Sequence, residues 1–256
     1  MVNIAEGAPS STASPTMMAV QDNTTDPLTV LLPCAGAGSR FKAPYPKELH
    51  CIARGVTALD AALAPVVDLS RNYPVRLVAV VGPGRESTVE RLYPYGEHLD
   101  LCITFQNERH GPQIMGALRA AHDLVSERVL IVLPDQYFSW EPGANPLLDC
   151  VRALQADEFS VIAAKPGSRP LTEDGALAVQ AGPHGPRVTA AAEKPQDPTG
   201  FDAAWVVVGL RRSAWDRLPD VFRRTAGSPL VGAPVVFAGG YRHLHVPSSA
   251  NENSSS

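Results

Sequence analysis

An apolar run that ends in a glycine-rich turn constrains the fold of this chain more than any other feature. Residues 28–32 are apolar except at Thr29, as in a strand buried on both faces of a parallel sheet. The turn that follows carries two glycines, a hydroxyl and a cation: Gly36, Gly38, Ser39 and Arg40. Lys47 comes seven residues later. Bare backbone N–H groups and two cations at the carboxyl end of such a strand indicate a site for a phosphate chain.

Strand-like and helix-like segments alternate along most of the chain. This alternation predicts an α/β fold with a Rossmann-like, mostly parallel sheet flanked by helices. Two alternating segments, 175–180 and 188–192, surround a glycine-rich turn and predict a small antiparallel hairpin added to that sheet. The segment 239–246 is expected to form an edge strand, and Pro65 is expected to bend or interrupt a helix over 56–69.

Composition limits the classes of protein that fit this chain. Apolar residues make up 45% of the 256, but no run approaches the roughly 18 consecutive apolar residues of a membrane span. A net charge of -4 argues against general nucleic-acid binding. Four widely spaced cysteines are expected to be reduced thiols in the cytoplasm. We expect one domain over residues 27–247, between disordered tails at 1–26 and 248–256.

Two common nucleotide-binding patterns do not fit the glycine turn. A dinucleotide fingerprint requires a third glycine, whereas Ser39, Arg40 and Phe41 follow Gly38. A phosphate-binding loop of the Walker type requires Gly-Lys-Ser or Gly-Lys-Thr, which the chain lacks.

The remaining pattern resembles the sugar nucleotidyltransferases, also called nucleotide-sugar pyrophosphorylases. Their opening motif, Ala-Gly-x-Gly-Ser/Thr-Arg followed by Pro-Lys, is matched from Ala35 to Arg40 and at Pro46-Lys47. Three later stretches follow in the family's order: Gln106 to Gly111, Leu133-Pro134-Asp135, and Glu193-Lys194-Pro195. In size the chain resembles the compact members that transfer a cytidylyl group to small phosphorylated molecules. The resemblance implies transfer of a nucleotide from an NTP to a sugar 1-phosphate or a similar acceptor, with release of pyrophosphate.

The resemblance also implies a role for each matched residue. Arg40 and Lys47 are the catalytic cations. The nucleotide is bound by the turn and by the later glutamine and glycine, that is, by Ala35, Gly36, Gly38, Ser39, Gln106 and Gly111. Asp135 holds Mg²⁺, and Glu193 and Lys194 hold the acceptor phosphate. Tyr137 is a candidate wall of the acceptor pocket, as are Trp140 and Trp205.

Several alternatives stay open at this point. The second metal carboxylate is Asp216, Asp202 or absent, and the proline before Asp135 departs from the family's usual glycine. A cytidylyltransferase for a phosphonate or phosphocholine-like acceptor and a catalytically silent ligand sensor both fit the same motifs. His243 and His245 share a strand face and are expected to be edge-strand histidines. The expected partners are an NTP and a phosphorylated small molecule, with a homo-oligomer allowed and no nucleic acid or membrane.

Overall fold

A nine-stranded sheet forms the centre of the molecule. The computed structural model describes residues 26–36, 41, 43–141, 143–166, 171–223 and 227–244. The strands of the described residues, within this sheet and outside it, are β1 (Leu28–Cys34), β2 (Cys51–Ala53), β3 (Val56–Thr57), β4 (Val75–Val81), β5 (Asp100–Phe105), β6 (Arg128–Val132), β7 (Gln136–Phe138), β8 (Phe159–Ala164), β9 (Gly175–Gly182), β10 (Gly185–Glu193), β11 (Ala203–Arg211), β12 (Val235–Phe237) and β13 (Tyr241–His243). The sheet runs β10-β9-β11-β6-β1-β4-β5, and β8 lies between β11 and β12.

The core of the sheet is parallel, as the alternating pattern predicts. β1 pairs in parallel with both β4 and β6, and β4 pairs in parallel with β5. Leu28, Val30 and Leu32 on one face of β1 and Leu31 on the other are all fully buried, which agrees with an apolar run covered on both faces. β11 departs from the parallel arrangement, because it runs antiparallel to both β6 and β8. The sheet is therefore mixed around a parallel centre.

This topology gathers several chain segments at one edge. Cys34 pairs with Val81 at the carboxyl ends of β1 and β4, and β6 ends beside them at Val132. Because β11 is antiparallel, its beginning lies at the same edge, with Val207 opposite Val132. The loops that follow β1, β4 and β6 therefore meet, which is where ligand sites form in open α/β sheets.

Helices cover both faces of the sheet, in agreement with the predicted fold class. They are α1 (Ala58–Ser70), α2 (Glu86–Leu92), α3 (Gln113–Ala121), α4 (Pro146–Ala153) and α5 (Leu218–Val221). α1, α2 and α4 pack into one apolar cluster, and α3 and α5 pack into a second. α1 continues through Pro65, so the predicted interruption is wrong. Leu63 and Val66 are fully buried on either side of the proline, and this packing holds the helix together.

Two antiparallel pairs lie outside the parallel core. β9 and β10 form the predicted hairpin, with Gly182 opposite Gly185. β13 is shorter than the edge strand expected over 239–246, and it pairs with β7 as Gln136 to His243. This small ladder brings the end of the described chain against the segment that follows β6. None of the helices in the described parts of the chain is long and apolar enough to cross a membrane.

Asp60 holds the start of α1, and its replacement is expected to destabilise the protein. Its Oδ2 accepts from the Thr57 backbone N–H at 2.7 Å, and Arg91 and Tyr95 donate to its Oδ1 at 2.9 and 2.8 Å. Burial would raise the pKa of Asp60, but these donors outweigh it and lower the pKa to about 2. An ionised Asp60 therefore adds stability above about pH 4 that is lost as the pH falls towards 2. We expect Asp60→Asn to lower the free energy of unfolding at pH 7 by about 1–2 kcal/mol in urea titrations.

Asp149→Asn is the matched control for this stability test. Asp149 lies on α4 in an exposed pair with Arg152 at 3.1 Å, and such pairs add little stability. Equal stability of both variants at pH 7 would contradict the role given to Asp60.

Candidate active site

Lys47 and Asp135 form an ion pair at the carboxyl edge of the sheet. Asp135 follows the end of β6, and Lys47 begins a single 3₁₀ turn after β1. The Lys47 Nζ lies 2.6 Å from Asp135 Oδ2, and the two side chains are 18% and 23% exposed. Two residues that are 88 positions apart in sequence, and that sequence reasoning assigned to one site, therefore meet at a surface open to solvent.

A histidine and a second aspartate extend this ion pair into the protein. His243 Nε2 lies 3.5 Å from Asp135 Oδ2, and His243 Nδ1 lies 2.6 Å from Asp174 Oδ1. The Tyr241 hydroxyl also donates to Asp174, at 3.3 Å. The His243 side chain is only 10% exposed, so the sequence-based view of a plain edge-strand histidine missed its place in the site. Nothing in the sequence singled out Asp174.

The pKa values of Asp135 and His243 shift in opposite directions. Burial would raise the pKa of the Asp135 carboxyl, but His243 and Lys47 outweigh burial and hold that pKa well below its usual range. Burial would lower the pKa of His243, but its contacts with Asp135 and Asp174 outweigh burial and raise the pKa. Asp135 is consequently an ionised carboxylate held between Lys47 and His243.

Arg85 joins the beginning of the glycine turn to the segment that carries Lys47. Its Nη2 donates to the Gly36 carbonyl, and its Nε lies 4.0 Å from the buried Glu48 Oε1. The Thr88 hydroxyl donates to the same Glu48 oxygen at 2.8 Å. Sequence reasoning missed Arg85, although its position after the Gly82-Pro83-Gly84 turn of β4 gave a signal.

A cleft of about 320 Å³ opens beside Lys47 and Arg85. It is lined by aromatic and proline side chains from the segment after β1 and by the turn after β4, namely Phe41, Ala43, Pro44, Tyr45, Pro46 and Gly84. Ala35 and Gly36 end the described part of the glycine turn, whereas the predicted residues Gly38, Ser39 and Arg40 lie outside the described residues. The cleft therefore receives at least two cations from separate loops.

The structure brings the predicted pair Gln106 and Gly111 into contact. The Gln106 Nε2 donates to the Gly111 carbonyl at 2.7 Å and to the Gln113 carbonyl at 3.1 Å. The Gln106 Oε1 is buried and accepts no hydrogen bond from the described residues. The glutamine thus fixes the loop between β5 and α3, and its contact with a nucleobase stays a prediction.

Gly116 is required for this loop geometry. A Cβ at position 116 would lie 2.0 Å from the Gly111 carbonyl oxygen and 2.1 Å from Gln106 Nε2. We expect Gly116→Ala to displace the loop and to raise the KM for nucleotide about tenfold, because a wrongly placed loop loses at least one hydrogen bond of roughly 1.4 kcal/mol. Steady-state kinetics with varied NTP would measure this change.

Gly96→Ala is the control for that substitution. A Cβ at position 96 would meet only Leu101, at 3.9 Å. If Gly116→Ala left the KM for nucleotide unchanged, this loop would have no part in nucleotide binding.

The residues predicted to bind the acceptor, Glu193 and Lys194, lie next to Asp174. Lys194 has a positive φ of 48°, and its backbone N–H donates to the Asp174 carbonyl at 3.0 Å. Its Nζ lies 3.1 Å from Glu193 Oε1, while the buried Glu193 Oε2 has no partner among the described residues. Asp174 therefore contacts both the segment predicted to bind the acceptor and His243.

The three aromatic residues predicted to line the acceptor pocket lie in different parts of the structure. Tyr137 lies opposite Arg242, on the other face of the β7–β13 ladder from His243. Trp205 is buried against Phe222, with a ring-centroid separation of 5.6 Å, and is a packing residue. Trp140 packs edge-on against Phe138.

Asp135 fits a divalent cation that takes only one of its ligands from the protein. Within the described residues, no three His, Cys, Asp or Glu side chains form a cluster that could hold a metal ion. Asp202 instead accepts from Lys165 at 3.2 Å, and Asp216 follows β11 at the opposite edge of the sheet. Mg²⁺ often keeps several waters and binds through one or two carboxylates together with substrate phosphates. One ionised carboxylate meets the protein's share of that requirement.

The fold of this chain is shared with several nucleotidyltransferases of known structure. The chain has the fold of the sugar-1-phosphate nucleotidyltransferases, as the resemblance in sequence predicts. A protein assigned as a glucose-1-phosphate thymidylyltransferase from Bacillus anthracis superposes with a TM-score of 0.66 at 14% identity, over 88% of this chain and 94% of that one. The inositol-1-phosphate CTP transferase from T. maritima gives 0.62 at 16% identity, over 88% and 91%. A UDP-glucose pyrophosphorylase from Acinetobacter baumanii gives 0.64 at 15%, also over 88% and 91%.

Similarity in sequence is confined to part of the chain. The bifunctional protein GlmU of Thermobifida fusca (strain YX) is 34% identical over 94 residues, which are 37% of this chain and 19% of that protein. GlmU of Mycolicibacterium gilvum (strain PYR-GCK) is 38% identical over 84 residues, 32% of this chain and 16% of its own length. The matched stretch thus spans less than a fifth of these relatives. No protein-family model matches the chain.

Proposed function

We propose that this protein is a nucleotidyltransferase that couples an NTP to a sugar 1-phosphate, or to a similar phosphorylated small molecule, and releases pyrophosphate. The observation that carries this proposal is the Lys47–Asp135 pair at the carboxyl ends of β1 and β6, with a contact of 2.6 Å. The pair combines a cation for the triphosphate with a carboxylate for a metal ion. The fold that this chain shares with the thymidylyltransferase, the CTP transferase and the pyrophosphorylase supports the same class of reaction.

The reaction needs positioning and charge neutralisation rather than a protein nucleophile. An oxygen of the acceptor phosphate attacks the α-phosphorus of the NTP, a new P–O bond forms, and the bond to the leaving pyrophosphate breaks. In the proposal Lys47 stabilises the α-phosphate, Arg40 the β- and γ-phosphates, and Lys194 the acceptor phosphate. Bound at Asp135, Mg²⁺ would withdraw charge from the α-phosphate. Arg85 adds a cation from the turn after β4 and holds the carbonyl of Gly36 in place.

Binding of the two substrates is assigned to opposite sides of Asp135. The nucleotide is placed against Ala35, Gly36, Gly38, Ser39, Gln106 and Gly111. The acceptor is placed against Glu193 and Lys194, and not against Tyr137, which lies on the other face of the β7–β13 ladder from His243. The hydrogen bond from the Lys194 N–H to Asp174, and the contact of Asp174 with His243, support a single site for both substrates.

A second candidate function is that of a cytidylyltransferase acting on a phosphonate or a phosphocholine-like acceptor. Its support is the likeness in fold to a CTP transferase whose acceptor is inositol 1-phosphate. A catalytically silent ligand sensor is the remaining alternative, and the pairing of Lys47 with a carboxylate at this edge argues against it.

Release of pyrophosphate tests the proposal directly. The purified protein with Mg²⁺ is incubated with CTP, UTP, dTTP or GTP in turn, and with glucose 1-phosphate, inositol 1-phosphate or phosphocholine as acceptor. We expect pyrophosphate from one NTP, only when its acceptor is present. Reactions without acceptor are the control. NTP binding by calorimetry without turnover on any acceptor would favour the sensor instead.

Further properties belong to the same proposal. A net charge of -4 fits an enzyme that binds small anionic substrates in a local pocket and that does not bind nucleic acid. All four cysteines are unpaired, Cys34 and Cys150 being buried, which supports a cytoplasmic enzyme. A homo-oligomer is compatible with this function and is tested by light scattering.

A further inference from the structure

β5 is an edge strand that lacks the usual protection against pairing with another strand. Among the described strands it pairs with β4 alone, in parallel and without a bulge. Exposed edges commonly carry charged residues, a proline or a bulge that prevents such pairing. After Asp100, the strand reads Leu-Cys-Ile-Thr-Phe and has neither a charge nor a proline. None of its residues is fully buried, so β5 presents a largely apolar edge to solvent.

The outward-facing backbone groups of β5 belong to alternate residues. The Gln106 N–H donates to the Val81 carbonyl at 2.9 Å, so the backbone at position 106 faces β4. Because backbone groups alternate in direction along a strand, the N–H and C=O groups of Leu101, Ile103 and Phe105 point away from β4. These groups have no backbone partner among the described residues. The edge therefore offers three residues whose donors and acceptors are available to another strand.

Two exposed aromatic side chains flank this edge. Tyr93 is 80% exposed and Phe105 is 61% exposed, and no other large apolar side chain of the described residues is as exposed as these two. Tyr93 begins the 3₁₀ segment Tyr93–Glu97, which reaches the start of β5, where a Cβ at Gly96 would lie 3.9 Å from Leu101. Phe105 ends the strand. Apolar side chains this exposed at both ends of one edge indicate a surface that another molecule covers.

We propose that β5 pairs antiparallel with β5 of a second copy of this chain, across a two-fold axis. The outward-facing groups set the register: Ile103 lies opposite Ile103 of the second copy, and Leu101 of each copy lies opposite Phe105 of the other. Residues in such positions exchange both of their hydrogen bonds, so the outward N–H and C=O groups of all three residues gain a partner. Because a two-fold interface joins the same patch on both copies, a strand with this self-matching register suits a second copy of itself.

The same register matches the side chains around the edge. Phe105 of each copy approaches Leu101 of the other and the 3₁₀ segment that begins at Tyr93, so the exposed rings on both sides are covered. Beyond the strand, the exposed Glu97 of one copy lies towards the exposed Arg109 of the other. No like charges lie opposite each other between positions 97 and 109. Apolar contact and opposite charge therefore both favour the antiparallel second copy as the occupant of this edge.

Light scattering and amide hydrogen exchange of the full chain test this interface. We expect a dimer that dissociates on dilution, and slow exchange at Leu101, Ile103 and Phe105 in the dimer only. Phe105→Lys adds a charge of the kind that protects natural edges, and it should raise the dissociation constant of the dimer about tenfold or more. Ile103→Pro removes an N–H that faces the second copy and none that faces β4, so it should have the same effect. Circular dichroism checks that each variant is folded.

Phe237→Lys is the matched control for Phe105→Lys. Phe237 is also an exposed phenylalanine, at 42%, and it ends β12, which pairs with β8 alone among the described strands. Its replacement should leave the dissociation constant unchanged. A chain that is monomeric at every concentration overturns the inference, and so does a dimer that Phe105→Lys leaves intact. Both measurements are made without NTP, so neither result bears on the proposed function, which has its own assay in pyrophosphate release.

Discussion

Lys47→Ala should reduce turnover about 100- to 1,000-fold while the protein stays folded. The Nζ group of Lys47 lies 2.6 Å from Asp135 at the carboxyl edge of the sheet, where two polyanions must approach each other. Loss of one preorganised charged contact of this kind costs about 3–4 kcal/mol of transition-state stabilisation. The loss should fall mainly on kcat, because the lysine acts on charge that develops at the α-phosphate. Pyrophosphate release at saturating substrates measures it.

Lys165→Ala is the matched control for this substitution. Lys165 follows β8, is 67% exposed, and pairs with Asp202 at 3.2 Å. We expect near-normal turnover in that variant. If Lys47→Ala kept the kcat of the unmodified chain, Lys47 would have no part in the chemical step. A thermal unfolding curve for each variant separates lost activity from lost folding.

Asp135→Asn should abolish most turnover and the response to added metal. The substitution keeps the shape of the side chain but removes the charge that Lys47 and His243 stabilise. A carboxamide is a poor ligand for Mg²⁺ compared with a carboxylate. We expect a loss of about 100-fold or more in kcat, as for other preorganised electrostatic groups. Raising the Mg²⁺ concentration should restore little of this loss.

Asp202→Asn provides the comparison for Asp135→Asn. Asp202 is a carboxylate whose partners are Lys165 and the Val179 backbone N–H, at 3.2 and 3.1 Å. Its substitution should leave the metal dependence unchanged. If Asp135→Asn retained normal turnover and normal metal dependence, the carboxylate would have no part in binding the ion.

The parallel core and one half of the site were predictable from sequence. Residues 28–32 are apolar except at Thr29, which is typical of a strand covered on both faces, and the glycine turn behind them marks its carboxyl end. Pairing of Lys47 with Asp135 follows from the fold, since the loops after neighbouring parallel strands meet at one edge. The stretches that carry Lys47 and Asp135 are each short and can each be identified in the sequence alone.

The other half of the site was not predictable, because it depends on long-range pairing. β7 and β13 have three residues each, too few for a periodic pattern. The contact between Asp174 and His243 joins residues 69 positions apart. The antiparallel direction of β11 was equally hidden, because a run of buried apolar residues reads the same in either direction.

The late position of β13 separates the central sheet from the last side chain of the site. All nine strands of the central sheet precede His243 in the chain, the last being β12 at Val235–Phe237. The nine-stranded sheet can therefore form without β13, and His243 meets Asp174 only when β13 pairs with β7. Until that pairing forms, the carboxyl edge of the sheet lacks the histidine that lies 3.5 Å from Asp135.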